Sequence, residues 1–582
     1  MSNLASADWL ILIIYCFFAL SASLSLRPAM TGGRAFFEAG RVQPAWLCGL
    51  AMAFAGLGVQ APVILGMGAR FGWASVPFAV LGGVPSLLFL GLVLMPVYYA
   101  SKARTLPEFL GLRFGGGTRW LAAMLLLVSS AAGAALSLYT MARIFAALHL
   151  FDQPMRAAHI APSWSFAALM VVPAALVLAY VLVGGLAGSI HNHAMQLCVV
   201  VAGFLPVVLL GVKQVGWSRV KAAAFSAGAA SGNGFGAFAL AAVLGLVFSV
   251  GFWCADFRVV QTAMTAKDAA SARRAPLIAA ALWLLLPLLL IVPALVALAM
   301  PTPHTAIAVH NENGVIYHEI AVVSPAEEAG RGLVPALSDP ATGEPLHAPD
   351  GGSRLDSALA APRALLHFLP VGLLGLGLAA LLACAMGGAA ASITAFGAVF
   401  ARDLYRPKNE DDRRTVSAGR WAIVAGILIA FGLACAAFCW QWKLETAALA
   451  FTRLNAPLLA TILLGAFWRR ATGRAALVGL VAGMAVSALP SLPAGIFGAL
   501  AFFRGPNDLA PGAWATATGF AVTLLVTAAV SLCTVPRAET ELTELAHSPA
   551  KRRPAKSAWW KRLETLAVVI FLAAIAVSLI FV

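Results

Sequence analysis

Apolar runs separated by polar stretches occupy most of the chain, near residues 9–27, 44–68, 75–98, 119–148, 164–184, 189–212, 235–257, 276–300, 364–400, 420–440, 445–467, 475–496, 513–533 and 563–582. A helix rises 1.5 Å per residue, so about 20 residues cross a hydrocarbon core roughly 30 Å thick. The pattern predicts an all-α polytopic membrane protein with about fourteen transmembrane helices. The run from Val371 to Ala401 has 31 residues without a formal charge and must tilt or protrude. Glycines at 372, 375, 377, 387 and 388, with many alanines, leave little side chain on that run. It reads first as a helix against which others pack closely.

Two stretches interrupt the rhythm. Residues 301–360 are too polar to span and show neither a helical nor an alternating period, which predicts a mobile external loop, with a segment folded over the external vestibule as the alternative. Residues 536–562 carry Lys551, Arg552, Arg553, Lys556, Trp559, Trp560, Lys561 and Arg562. That basic, aromatic run suits an anionic lipid headgroup surface, with a regulatory partner site as the alternative.

Composition excludes a soluble domain: of 582 residues, 61% are hydrophobic and only 11% charged. Trp9 to Leu26 lacks a small-residue cleavage site and is expected to be a retained span. With the N-terminus outside, cytoplasmic loops hold 27 Lys and Arg and external loops hold 10, so the positive-inside rule puts both termini outside. Much of the +15 net charge is thereby topology rather than a nucleic-acid surface. The eight cysteines all lie in or at the ends of apolar segments, and their spacing implies neither disulfides nor a metal centre.

Short motifs then recur in a particular order. Phe37-Glu38-Ala39-Gly40-Arg41 is followed by Gly66 and Gly72, and Thr105-Leu106-Pro107-Glu108-Phe109-Leu110 by Arg113-Phe114-Gly115. Next come Tyr180, Gly184, Gly185 and Leu186 with Gln196, then Gln261 with Ala266-Lys267-Asp268. Pro370 and Gly372 open the long uncharged run, Met386 sits within it, and Asp403 and Tyr405 close it; Phe467-Trp468-Arg469-Arg470-Ala471 comes last. Together they cover most of residues 30–500 and resemble the sodium:solute symporters, a family that includes sodium/sugar, proline and acetate symporters.

The resemblance implies a five-plus-five inverted-repeat core over 44–470. One extra helix and a cytoplasmic loop precede it within 1–43, and three extra helices follow within 471–582. It also implies substrate and ion sites near the bilayer midplane, where the first and sixth core helices break. Gly56, Gly58 and Pro62 would permit the first break, since helix-interior Gly costs ~1 kcal/mol and Pro ~3 kcal/mol against Ala; the same residues are common in unbroken membrane helices.

Carried over position by position, the resemblance implies a sodium site built from the carbonyls of Gly56, Val59 and Cys384 and from hydroxyls at 387 and 388. Here Gly387 and Gly388 supply none, and His193 stands where the family has an aspartate that attracts or relays sodium. The expectation is weak or absent sodium binding, with a proton through His193 as the other possible coupling ion. Ser392 and Thr394 lie one to two turns further on as substitute donors, though such residues usually bond to their own helix. Asp256 and Arg258 fall on a polar substrate contact and an inner gate of the family's sugar transporters. With Gln60 and Arg453, which lie inside spans, they are the candidate substrate-binding residues. The plainer readings are a solvated Asp256–Arg258 pair at the cytoplasmic edge and a carboxylate such as Glu445 for Arg453.

No phosphate loop, nucleophile constellation or kinase module is present, so enzymatic activity is not expected. The sequence points to a secondary active transporter of a small polar organic solute in the inner (plasma) membrane, working by alternating access with no other cofactor. The reading from a different class is a transport-defective relative acting as a membrane sensor or complex subunit. A cavity with convergent polar groups separates the two. Beyond the solute and membrane lipids, no partner is implied.

Overall fold

The computed structural model describes residues 4–30, 32–157, 159–228, 235–301, 306–312, 315–321, 329–337, 344–346, 353–405, 412–440, 444–488, 510–536 and 562–581. Among them ten helices are long and apolar enough to cross a membrane, against the fourteen segments expected. Continuity accounts for part of the difference. Ala45–Ala100 and Trp164–Val215 run for 56 and 52 residues, each more than twice a span. The first turns at Gly72 (φ 56°) and the second at Gly185 (φ 53°), left-handed conformations that glycine adopts without a side-chain clash. The run 475–496 is described only as the helix Gly473–Ala488, and the basic stretch 537–561 lies outside the described residues.

The helices that build the site are α1 (Ser6–Leu26), α2 (Ala45–Phe71), α3 (Gly116–Ala147), α4 (Pro162–Val215), α5 (Phe235–Ala255), α6 (Phe257–Met264), α7 (Leu373–Val399) and α8 (Leu444–Phe467). The small residues of α7 let α1, α2, α3 and α4 all pack on it, and nearly its whole length is buried. It is the central helix of the bundle.

The N-terminal helix is tied to that centre by one carboxylate. Asp8 Oδ1 accepts the backbone N–H groups of Gly372 (2.8 Å) and Gly375 (2.7 Å), which the first turn of α7 cannot satisfy internally. Gly372 is left-handed at φ 88°, and a Cβ on Gly375 would lie 2.6 Å from the Asp8 Cα, so only glycine admits this approach. Asp8→Ala orphans two buried donors and is expected to lower stability by about 2 kcal/mol, with Asp8→Asn in between. Thermal unfolding of the detergent-solubilised variants measures it.

The described residues of the polar stretch 301–360 include regular elements that its lack of period did not predict. Ala306–Glu312 and Val315–Ala321 pair as an antiparallel hairpin, and Ser357–Leu359 forms a 3-10 turn leading into a helix over Ala360–Phe368. Backbone pairing across a two-residue connection produces the hairpin, which a search for hydrophobic alternation overlooks.

Candidate functional site

The first core helix does not break. Despite Gly56, Gly58 and Pro62, α2 is α-helical throughout, and its two glycines serve close packing instead. Gly56 lies under the indole of Trp253, and Gly58 lies against α7, where an added Cβ would sit 2.5 Å from the Gly388 nitrogen and 2.9 Å from the Cys384 carbonyl oxygen. An intact helix also engages the carbonyls expected to serve sodium, because those of Gly56, Val59 and Cys384 face the N–H groups four residues on. Pro62 has no N–H, so the carbonyl left without an i+4 donor is that of Gly58.

The released oxygen faces Gly388. The position a Cβ of Gly388 would take is 2.5 Å from both Gly58 O and Ser137 Oγ. Helices α2, α3 and α7 thus meet at Gly58, Ser137 and Gly388, and above this floor opens a narrow cleft of about 20 Å³ lined by Pro62, Leu65, Ser137, Thr140, Leu381 and Cys384 among others. Its hydroxyls donate to their own helix, Ser137 to Gly133 O (3.1 Å) and Thr140 to Leu136 O (2.8 Å), and present lone pairs to the cleft. The cleft lies at the end of the bundle where α2 and α3 finish and α7 begins.

Gly387 is covered differently, by the Phe54 ring, whose Cδ1 would lie 3.1 Å from an added Cβ. The same ring tilts against His193, centroid to centroid 5.7 Å. His193 is buried, with Nε2 3.4 Å from Ser189 Oγ and Nδ1 without a hydrogen-bond partner among the described residues. Ser392 and Thr394 donate back to their own helix, to Gly388 O and Ala390 O (both 2.8 Å), and Thr394 Oγ1 also accepts from Gln261 Nε2 (3.2 Å).

About 10–12 Å deeper along α3 and α7, taking 1.5 Å for each of seven or eight residues, lies a charged cluster. The sixth core helix does break, at Asp256 (φ −81°, ψ 114°), between α5 and α6. Asp256 caps α6 by accepting the Arg258 backbone N–H (3.0 Å), and its carboxylate takes the Arg258 guanidinium in a fork, with Nε 2.8 Å from Oδ1. Asn455 Nδ2 of α8 donates to Asp256 Oδ2 (3.0 Å), and Arg258 reaches Ser129 O of α3 (3.4 Å). Gln261 Nε2 extends the network to Ala391 O (3.1 Å) and Thr394 Oγ1 (3.2 Å) of α7. Asp256 is 0% and Arg258 1% exposed, so the pair is not the solvated cytoplasmic-edge pair its position allowed.

The expected substrate residues are therefore not brought together. Asp256 and Arg258 pair with each other below the cleft, Gln60 is half-buried on α2 without a side-chain hydrogen bond among the described residues, and the Arg453 side chain lies outside the described residues. Sequence reasoning missed Ser137, Thr140 and Asn455. The signal available for the first two was their spacing of three on a span rich in small residues, which places both hydroxyls on one helix face.

The chain is similar to known proteins in sequence and in fold. The pattern of the Sodium:solute symporter family matches residues 36–334 and 351–483. A sodium/mannose cotransporter of Bos taurus is 25% identical over 525 residues, spanning 82% of this chain and 78% of that protein. A sodium/glucose cotransporter of Vibrio parahaemolyticus is 24% identical over 477 residues, 77% of each. The solved structure of a Na+-coupled sialic acid symporter in a substrate-bound outward-open state superposes with a TM-score of 0.71 at 15% identity, covering 91% of this chain and 99% of that one, which shows a shared fold. With the matched residues spanning well over half of the sequence, this multi-pass membrane protein belongs to the sodium:solute symporter family.

Proposed function

We propose that the protein carries a small polar organic solute across the inner membrane by alternating access through its 44–470 core, and that sodium couples to it weakly or not at all. The relatives are named for mannose and glucose, and the hydroxyls of Ser137 and Thr140 are acceptors suited to a hydroxylated solute once the narrow cleft widens in the transport cycle. Asp256, Arg258 and Asn455 then close the inner side by bridging α3, α5, α6 and α8 beneath it. Gln60, beside the cleft on α2, and Arg453 remain candidate contacts for a solute in the other half of the cycle.

The observation that carries the sodium reading is the filling of the family's hydroxyl positions. Phe54 covers Gly387, and Gly58 O with Ser137 Oγ covers Gly388, while Gly56 and Val59 belong to an unbroken helix. A dehydrated cation with few oxygen ligands loses several kcal/mol against water. Uptake into proteoliposomes is accordingly expected to change less than about twofold when sodium is replaced by choline, with the proton gradient held at zero and then imposed separately. Strong sodium dependence overturns the reading. A non-transporting sensor or subunit is the second reading, favoured by the mutual satisfaction of Asp256 and Arg258, and it predicts no uptake or counterflow of any solute in a panel of sugars, carboxylates and amino acids.

A further inference from the structure

Above the cleft, the segment before α7 crosses from one wall to the other. Arg143 is one residue before Ile144, which lines the cleft on α3, and its guanidinium nitrogen lies 2.8 Å from Asp356 Oδ2. The next residues of that segment rest on α2: a Cβ on Gly66 would lie 3.2 Å from Ser357 Oγ and 3.3 Å from the Ala358 nitrogen. Gly66 directly follows Leu65, another lining residue. The segment is held from behind by Asp356 N–H donating to Pro335 O (2.8 Å) and ends on Leu359, which is buried. It thus ties α3 to α2 across the mouth of the cleft.

We propose that Asp356–Leu359 is a strap over the outer mouth of the cleft, and that the Arg143–Asp356 ion pair is its latch. Two observations favour a latch over a fixed strut. The two side chains are 29% and 14% exposed, so water can replace either partner when the pair opens. Contact at Gly66 is made through the small residues at 357 and 358, so that part of the strap can lift while the buried Leu359 stays in place as its anchor. Asp256 and Arg258, by contrast, are sealed on all sides at the inner end. Opening the strap admits solute to the cleft, and closing it precedes release of the inner cluster. Arg143 and Asp356 are in this sense positioning residues for the transport cycle. The proposal rests on the transporter reading and on this end of the bundle facing outward.

Cys384 provides the reporter, because it lines the cleft beneath the strap and is free and buried. Full-length protein in right-side-out vesicles is treated with a membrane-impermeant maleimide, and labelling of Cys384 is followed peptide by peptide by mass spectrometry. Asp356→Asn and Arg143→Gln are each expected to raise its labelling rate about fivefold, the range a partly exposed pair supports. The exchanged pair, Arg143→Asp with Asp356→Arg, is expected to return it toward the starting value. Unchanged rates in both single variants, or an exchanged pair as open as the singles, overturn the latch. A cysteine at the exposed Arg354 position is labelled from the same side if the orientation is right. Its protection would instead refute the outward assignment while leaving the strap geometry standing. Neither outcome requires uptake, so a failure of the latch is distinguishable from a failure of the transporter reading.

Discussion

Gly388→Thr is expected to destabilise the protein by about 3 kcal/mol or more and to abolish uptake, although it supplies a hydroxyl at a position where the family resemblance implies one. The first added carbon would sit 2.5 Å from a main-chain carbonyl oxygen, that of Gly58, and the same distance from Ser137 Oγ. A main-chain atom on the intact helix α2 cannot rotate aside, so relief requires separating α2 from α7. Gly387→Ser is expected to be milder, because the obstacle there is the ring of Phe54, which has side-chain torsions to adjust. Thermal unfolding ranks the variants, and uptake in sodium against choline tests the consequence. A Gly387→Ser/Gly388→Thr protein that folds normally and acquires sodium-dependent uptake would show that the two helices are not held at this spacing.

The second large effect is expected at the inner cluster. Arg258→Met leaves the Asp256 carboxylate buried with only Asn455 and a backbone N–H as donors, and should cost about 3–5 kcal/mol. Asp256→Asn strands the guanidinium and should cost a similar amount. Removing both charges together, as Asp256→Asn/Arg258→Met, is expected to recover most of that loss, because the desolvation of two ions disappears along with their attraction. A double-mutant cycle in thermal stability measures the coupling. If the pair also closes the inner side, the stable double variant should still bind solute and leak it, which counterflow separates from net accumulation. Additive single effects would mean that Asp256 and Arg258 do not act as a unit.

These two sites differ in how far the residues announced them. That Asp256 and Arg258 mattered was readable, since two opposite charges near an apolar run are costly unless paired. That they pair was one of the readings; that the pair is buried and held by further partners was not legible, because Asn455 lies 199 residues from Asp256 and Ser129 lies 129 residues from Arg258. Glycines at 387 and 388 announced missing ligands, but their second meaning, contact with Phe54, Gly58 and Ser137, depends on the distance between helices. The expected break in α2 failed for a related reason. Local cost argued for unwinding at Gly56, Gly58 and Pro62, yet close packing against Trp253 and α7 offsets it, and Pro62 releases only the single carbonyl of Gly58. A segment folded over the vestibule was one of two readings of residues 301–360, which carry no hydrophobic period, but its latch was not legible because it joins Arg143 to Asp356 across 213 residues.

By itself, the sequence determined that the chain lies in a membrane, that it is helical, where most spans run and to which family it belongs. Each of these follows from local quantities: the length of uncharged runs against bilayer thickness, the obligation of backbone groups to bond internally in hydrocarbon, and short motifs in a set order. Tertiary structure alone decided what the polar and small residues do. Whether a glycine unwinds a helix or seats a neighbour, and whether a carboxylate meets a solute or an arginine, depends on which helices lie within a few ångströms, and no local property of the chain specifies that.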